Sequence, residues 1–267
     1  MADLLALARA EQERAKTLLR RRLWCHGATL AFGLISLALP EPLVYAASVL
    51  ALASESLAWY LKYVAGEAHQ RAEDGRRRVL LARELGSEPD PLARASLLAA
   101  FSKHARRDAA RWDDPDYYAA AGRPGLQRLS ESLQESAFWS ARLYCLAGRA
   151  ESLRLTGIVA VIVFAVFVLN VIDAGSAAAV AARAATVALA TLIVVDELGV
   201  ALSWYAAAAA SSKVSDRLEQ VDSGDLGQML TVFADYAVAT ATAPPIPTKI
   251  YISHHDVIDE AWKARSS

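Results

Sequence analysis

The chain is poor in the residues that build redox and metal sites. It has two cysteines, Cys25 and Cys145, and five histidines in 267 residues. Two isolated cysteines give neither a disulfide framework nor the paired spacing of a zinc site. Net charge is scarce too, at -1 from 28 basic and 29 acidic residues. That balance excludes a global attraction to polyanions, so no nucleic acid polymer is expected as a partner. There is no Gly-rich phosphate loop, no His-Glu-x-x-His, no nucleophile elbow and no Cys pair. The chain therefore does not read as an enzyme, and no catalytic residue, cofactor or metal is expected. Strand patterning is absent as well, which leaves an all-α reading. The start lacks the short basic region and apolar core of a secretory signal. Instead, residues 1–22 mix Asp3, Glu11 and Glu13 with Arg9, Arg14, Lys16, Arg20, Arg21 and Arg22.

What is abundant is apolar sequence, and it is segregated from the charge. Apolar residues make up 55% and charged residues 21%, with a mean hydropathy of +0.24. Four apolar blocks carry the excess: residues 24–39, 43–64, 155–172 and 184–210. Spanning ~30 Å of hydrocarbon takes ~20 residues, and the blocks approach that length. The first two are separated by Pro40-Glu41-Pro42 and the last two by Asp173-Ala174-Gly175-Ser176, so each pair reads as a hairpin. The expected fold is an integral membrane protein with two transmembrane helical hairpins, four spans in all.

Basic flanks set the orientation. Arg20 to Arg22 precede the first block, Lys62, Arg71 and Arg76 to Arg78 follow the second, Arg149 and Arg154 precede the third, and Lys213 and Arg217 follow the fourth. Both turns then face outward and both termini are cytoplasmic. The layout is residues 1–23 as a cytoplasmic amphipathic helix, 24–64 as the first hairpin, and 65–154 as a helical insert. Residues 155–210 form the second hairpin, and 211–267 form C-terminal helices and a Pro-rich tail. Leu4, Leu7, Ala8, Ala15, Leu18 and Leu19 share one face of the first helix, interrupted by Glu11. The second span continues as a charged helix that stops at Gly86; Asp90 caps a helix with Pro91 at its first position, and Asp114-Pro115 repeats the device. Gly122-Arg123-Pro124-Gly125 is a turn, and from Leu126 one helix runs into the third span. The fourth span runs out through Ser215, Arg217 and Glu219, so helical stalks carry the spans into the cytosol. Pro244-Pro245-Ile246-Pro247 must be extended, and a last short helix is expected over residues 256–264.

The residues most suggestive of function are Glu55, Asp196 and Glu197, ionisable groups inside apolar blocks. Charges near mid-membrane cost ~2.5–3.5 kcal/mol on insertion scales and seldom face lipid. One reading makes them the lining or gate of an ion path completed by oligomerisation. The other makes them carboxyls that glue helices, with Ser54, Ser56 or Asn170 as partner. Adjacent residues point about 100° apart on a helix, so Asp196 and Glu197 cannot both face one lumen. Trp59-Tyr60 and Trp204-Tyr205 echo each other as interfacial anchors. Arg76, Arg77, Arg78, Arg106 and Arg107 offer contacts for an anionic ligand or headgroups, or else form solvated helix faces. Asp113, Asp114, Asp116, Tyr117 and Tyr118 read as a helix cap with surface tyrosines. His254 and His255 beside Asp256 point apart and lack a second ligand pair, which argues against zinc.

Several short words in the chain carry a resemblance: Asp116-Tyr117-Tyr118, then Leu133-Gln134-Glu135-Ser136-Ala137-Phe138-Trp139, then Pro244-Pro245-Ile246-Pro247-Thr248-Lys249-Ile250-Tyr251 with Trp262 beyond. With the 2+2 layout, they make the chain resemble the four-transmembrane, SMODS-associated effectors of bacterial cyclic-oligonucleotide antiphage systems (CBASS). That family is regarded as pore-forming. The resemblance implies an oligomer in the bacterial inner membrane that permeabilises or depolarises it on infection, in answer to a cyclic oligonucleotide or a signalling partner protein. The alternatives are a small ion- or proton-coupled transporter and a non-conducting membrane scaffold.

Overall fold

The computed structural model describes residues 2–86, 90–112, 123–171, 176–221 and 224–266. Every regular element among them is helical: α1 (Ala2–Ala38), α2 (Glu41–Leu85), α3 (Pro91–Ala100), α4 (Lys103–Asp108), α5 (Leu126–Val171), α6 (Ala177–Leu218), α7 (Leu226–Thr242) and α8 (Thr248–Ser266), with a 3-10 turn at Ala109–Trp112. Three helices, α2, α5 and α6, are long and apolar enough to cross a membrane. α1 is not among them; its apolar stretch, residues 23–38, is bounded by Arg22 on one side and by the end of the helix at Ala38 on the other.

Helix ends follow local chemistry. Gly86 takes φ +66°, the left-handed conformation that terminates α2 at low steric cost to a glycine. Asp90 accepts a hydrogen bond from the Ala93 amide at 3.2 Å, and Pro91 fills the first helical position of α3. Asp225 caps α7 in the same way through the Gln228 amide, at 3.0 Å. α8 starts directly after Pro247 rather than near residue 256, so the last helix is longer than its sequence pattern implies. The Asp114-Pro115 cap, the acidic–aromatic corner at residues 113–118, Gly122 and the turn residues 173–175 lie outside the described residues.

The chain forms two compact units. The first gathers residues 1–16, 66–148 and 203–267; the second gathers 17–65 and 149–202. The first unit has conventional large-residue cores. Leu80, Leu129, Leu133, Met229, Val232 and Phe233 anchor one of them. Leu4, Leu7, Val79, Leu97 and Phe101 anchor a second, and Phe138, Leu143 and Ile258 a third. The acidic break in the α1 stripe is satisfied there. Glu11 is fully buried, with Ser102 Oγ at 2.6 Å and Arg71 and Arg14 each at 3.1 Å. Glu84, also fully buried, meets Arg128 at 2.6 Å.

The second unit has the opposite character. Its buried residues are mostly small, including Ala47, Ala51, Ala58, Ala179 and Ala190. Small side chains let helices approach closely, as in membrane bundles. At Gly33 the approach is so close that an added Cβ would stand 2.9 Å from Thr186 Cγ2. Its large side chains point outward instead: Ile35, Val49, Leu52, Phe164, Phe167 and Val195 are all exposed. Apolar surface of that extent is foreign to a soluble globule and natural against lipid. This inside-out distribution and the three long apolar helices support a membrane protein.

Candidate functional site

Four helices of the second unit bring their charged residues together. α1 supplies Arg22 and His26, one turn apart on one face, and α2 supplies Glu55 and Lys62 at a two-turn spacing. α5 supplies Glu151 and Arg154, and α6 supplies Asp196 and Glu197. Five of these side chains are almost completely enclosed: Arg22, His26 and Glu55 at 3% exposure, Glu151 at 6% and Glu197 at 1%.

His26 lies between two carboxylates. Its Nδ1 is 3.0 Å from Glu55 Oε2, and its Nε2 is 3.3 Å from Glu197 Oε1. Glu55 also accepts from the Trp59 indole N–H at 3.0 Å and from the Thr29 hydroxyl at 3.4 Å. Arg22 donates to Glu197 at 2.5 Å and also to Asp196. Lys62 holds Asp196 from α2, and Arg154 bridges Glu151 and Glu197 from α5. The inventory is four carboxylates against three permanent cations, with His26 as a fourth cation when protonated. Buried ions survive only where such pairing offsets their desolvation.

The three sequence candidates thus occupy one cluster. Glu55 and Glu197 share His26, while Asp196 and Glu197 share Arg22 rather than both facing a lumen. Ion pairs join Asp196 and Glu197 to Arg22, Lys62 and Arg154, basic residues that flank the apolar blocks in sequence. Ser54 and Ser56 donate to main-chain oxygens of Cys25 and Leu52 instead of to Glu55. The Asn170 side chain lies outside the described residues. His26, Arg22, Glu151 and Arg154 went unread as site residues. Their signal was an i,i+4 basic pair entering an apolar block and an i,i+3 acidic–basic pair before another.

His26, Asp196 and Glu197 place their ligand atoms close enough for a metal ion. The surroundings do not suit one. Arg22 already bonds both carboxylates, and Lys62 and Arg154 add two positive charges beside them. A cation would enter against three like charges.

A second polar anchor closes the other end of the unit. The buried Arg183 guanidinium donates to Ser36 O and Leu39 O, both at 3.3 Å, where α1 leaves its last carbonyls without helical partners. Glu41 accepts from the Ser176 amide at 2.7 Å. A void of about 20 Å³, lined by Thr29, Gly33, Ala165 and Thr186 among others, lies between the helices. It has room for about one water.

Other sequence candidates separate. The aromatic pairs are unlike each other: Trp59 and Tyr60 are exposed, whereas Trp204 is buried and donates to Pro244 O at 2.9 Å. In the first unit, Arg76 and Arg77 line a cleft, while Arg78, Arg106 and Arg107 are exposed. His254 turns to Ile250 O at 3.0 Å and His255 to Asp256 at 3.1 Å, so the two rings serve different partners.

No protein-family model, curated protein or solved structure matches this chain.

Proposed function

We propose that the protein is a signal-gated, oligomeric membrane effector that permeabilises or depolarises the bacterial inner membrane in antiphage defence. In this reading α1 and α2 form one hairpin and α5 and α6 the other, giving four spans, with both termini on the cytoplasmic side. The proposal includes no enzymatic step. The observation that carries it is the buried charge cluster. Joining four apolar helices by four carboxylates and three cations is an expensive way to make a bundle, since hydrophobic residues of equal volume are often as stable or more so. Ionisable groups at membrane depth are functional by default.

The cluster serves as a latch. Glu55, Asp196 and Glu197 each have a cationic or imidazole partner on another helix, and Arg154 ties Glu151 of its own helix to Glu197, which holds the closed arrangement together. Opening would exchange those partners for water and for residues of neighbouring copies, and Glu55, Asp196 and Glu197 would then line or gate the path. The 20 Å³ void within one chain is far too small for an ion path, so the path requires several copies. A signal shifts the population only as far as it prefers the open arrangement. That signal is a ligand or a partner protein; a cyclic oligonucleotide is what the family resemblance implies.

The complete pairing within one chain also favours a second reading, a non-conducting scaffold glued by the same carboxylates. One experiment separates them. Membrane potential and propidium entry are measured in bacteria expressing wild type or Glu55→Gln, with and without a co-expressed cyclic-oligonucleotide synthase. Synthase-dependent depolarisation, altered in Glu55→Gln while membrane insertion is kept, supports the gate. A membrane that stays polarised throughout, with the protein present in it, overturns conduction for that signal and leaves the scaffold.

A further inference from the structure

The first unit contains a cleft of about 550 Å³, within the size range of small-molecule sites. It is lined by a basic group and an aromatic group from different helices. α1 contributes Arg9 and Lys16, two turns apart on one face, and α2 contributes Arg76 and Arg77. α5 contributes Trp139, and α8 contributes Tyr251 and His255 one turn apart. The three rings form a cluster, with centroids at 5.3 Å for Trp139–His255 and Tyr251–His255 and 6.1 Å for Trp139–Tyr251.

Two polar groups in this cleft are left without a hydrogen-bond partner although buried: the Ser132 hydroxyl, on a residue 4% exposed, and Arg77 Nε. Leaving a buried donor unmet costs roughly 1–3 kcal/mol, so an unmet pair in one cavity points to an absent acceptor. Three of the cleft's cations already face an acid whose place a ligand phosphate would take: Lys16 meets Glu13 at 2.6 Å, Arg76 meets Glu73 at 3.0 Å and Arg77 meets Asp74 at 3.6 Å. Asp259, at the cleft wall, is tied to Lys263 at 2.6 Å. Burial, and then the nearby Asp259, raise the pKa of the Glu135 carboxyl, which also lines the cleft.

We propose that this cleft is a binding site for a small anionic ligand bearing a planar ring, of the nucleoside phosphate class. Arg77, Ser132 and Lys16 would receive the phosphate, because guanidinium, hydroxyl and ammonium donors all suit its oxygens. Trp139, Tyr251 and His255 would receive the ring, by stacking that any base can supply. The assignment stands on the first unit alone and does not depend on whether the membrane unit conducts.

The test is calorimetric titration of the full chain in neutral-lipid nanodiscs with AMP, with adenosine and with inorganic phosphate. AMP should bind saturably and at least tenfold more tightly than either fragment. Arg77→Gln and Trp139→Leu should each weaken it about tenfold. Arg77 also donates to Ala237 O, so Lys16→Gln, at a partly exposed position whose partner is a single carboxylate three residues away, serves as the variant least able to disturb folding. It should weaken AMP several-fold with an unchanged melting curve. Absence of saturable AMP binding at millimolar concentration overturns the site. So does AMP binding that is undiminished in correctly folded Lys16→Gln and Trp139→Leu. Conductance measured on the same preparation reports separately on the gate.

Discussion

Replacing Arg22 by methionine keeps the length of the side chain but removes the charge that Asp196 and Glu197 share. The cluster would change from four carboxylates and three cations to four and two. Removing one partner of a buried ion pair costs about 3–5 kcal/mol, because the carboxylate left behind remains desolvated. Glu197→Gln acts in the opposite direction on the count, leaving three carboxylates and three cations. Arg22 then keeps Asp196, Arg154 keeps Glu151, and the cost should be nearer the ~1–2 kcal/mol of weakened hydrogen bonds. The double variant is the informative one. With Glu197 already neutral, losing Arg22 strands only Asp196, which still has Lys62. The double should therefore be less destabilised than the sum of the singles by roughly 1–3 kcal/mol, the coupling expected of contacting residues. The assay is reversible unfolding in mixed micelles, followed by helix circular dichroism against the fraction of denaturing detergent. If the singles add to within about 0.5 kcal/mol, or if Glu197→Gln proves the more damaging, the shared-donor account is refuted.

Two further expectations concern the first unit. Gly86→Ala should destabilise by about 1–2 kcal/mol, because an L side chain at φ +66° is strained and its Cβ would meet Pro124 Cβ at 2.9 Å; thermal melting measures it, and an unchanged Tm would remove the steric argument. His69 lies beyond the apolar stretch of α2, is 4% exposed and packs its Nε2 3.4 Å from Thr240 O. Burial lowers its pKa from 6.5, against the opposing pull of Glu73. Its neutral form thus contributes stability that is present above pH 6.5 and lost as pH falls below it. The pH dependence of Tm should be shallower in His69→Gln over the acid side of that window; an identical slope would assign the loss to other groups.

How much of this was legible in the chain depended on the range of the interaction. The Asp90-Pro91 cap, the stop at Gly86 and the extended Pro244–Pro247 segment were readable because each is decided within a few residues. So was the unbroken course of α5 from Leu126. The start of α8 was not, since Ile250, Tyr251 and Ile252 are β-branched or aromatic and carry little helix preference of their own. Packing of Ile246, Ile250 and Trp262 on Phe138 makes up for that weak local preference. α7 had only the Asp225 cap to announce it. At the site, ionisable residues in apolar sequence were visible as exceptions. Their partners were not, because His26–Glu55 and Arg22–Glu197 join positions far apart in sequence, which periodicity cannot pair.

The first unit is stitched from three separated stretches of chain, and this bears on how a ribosome must make it. Its central core needs Leu80, Leu129 and Leu133 but also Val214, Met229, Val232 and Phe233. At ~5–20 residues per second, the earlier stretches wait many seconds for the later ones to emerge. The three long apolar helices are synthesised before that wait ends, so they leave the ribosome before the core can close. During the interval the apolar faces of Leu80 and Leu129 have no native cover, and long-range contacts of this kind form slowly. Newborn copies are therefore exposed to proteases and chaperones in a window that finished copies never revisit. Abundance of the protein in a cell should respond to quality control at birth more than to its equilibrium stability.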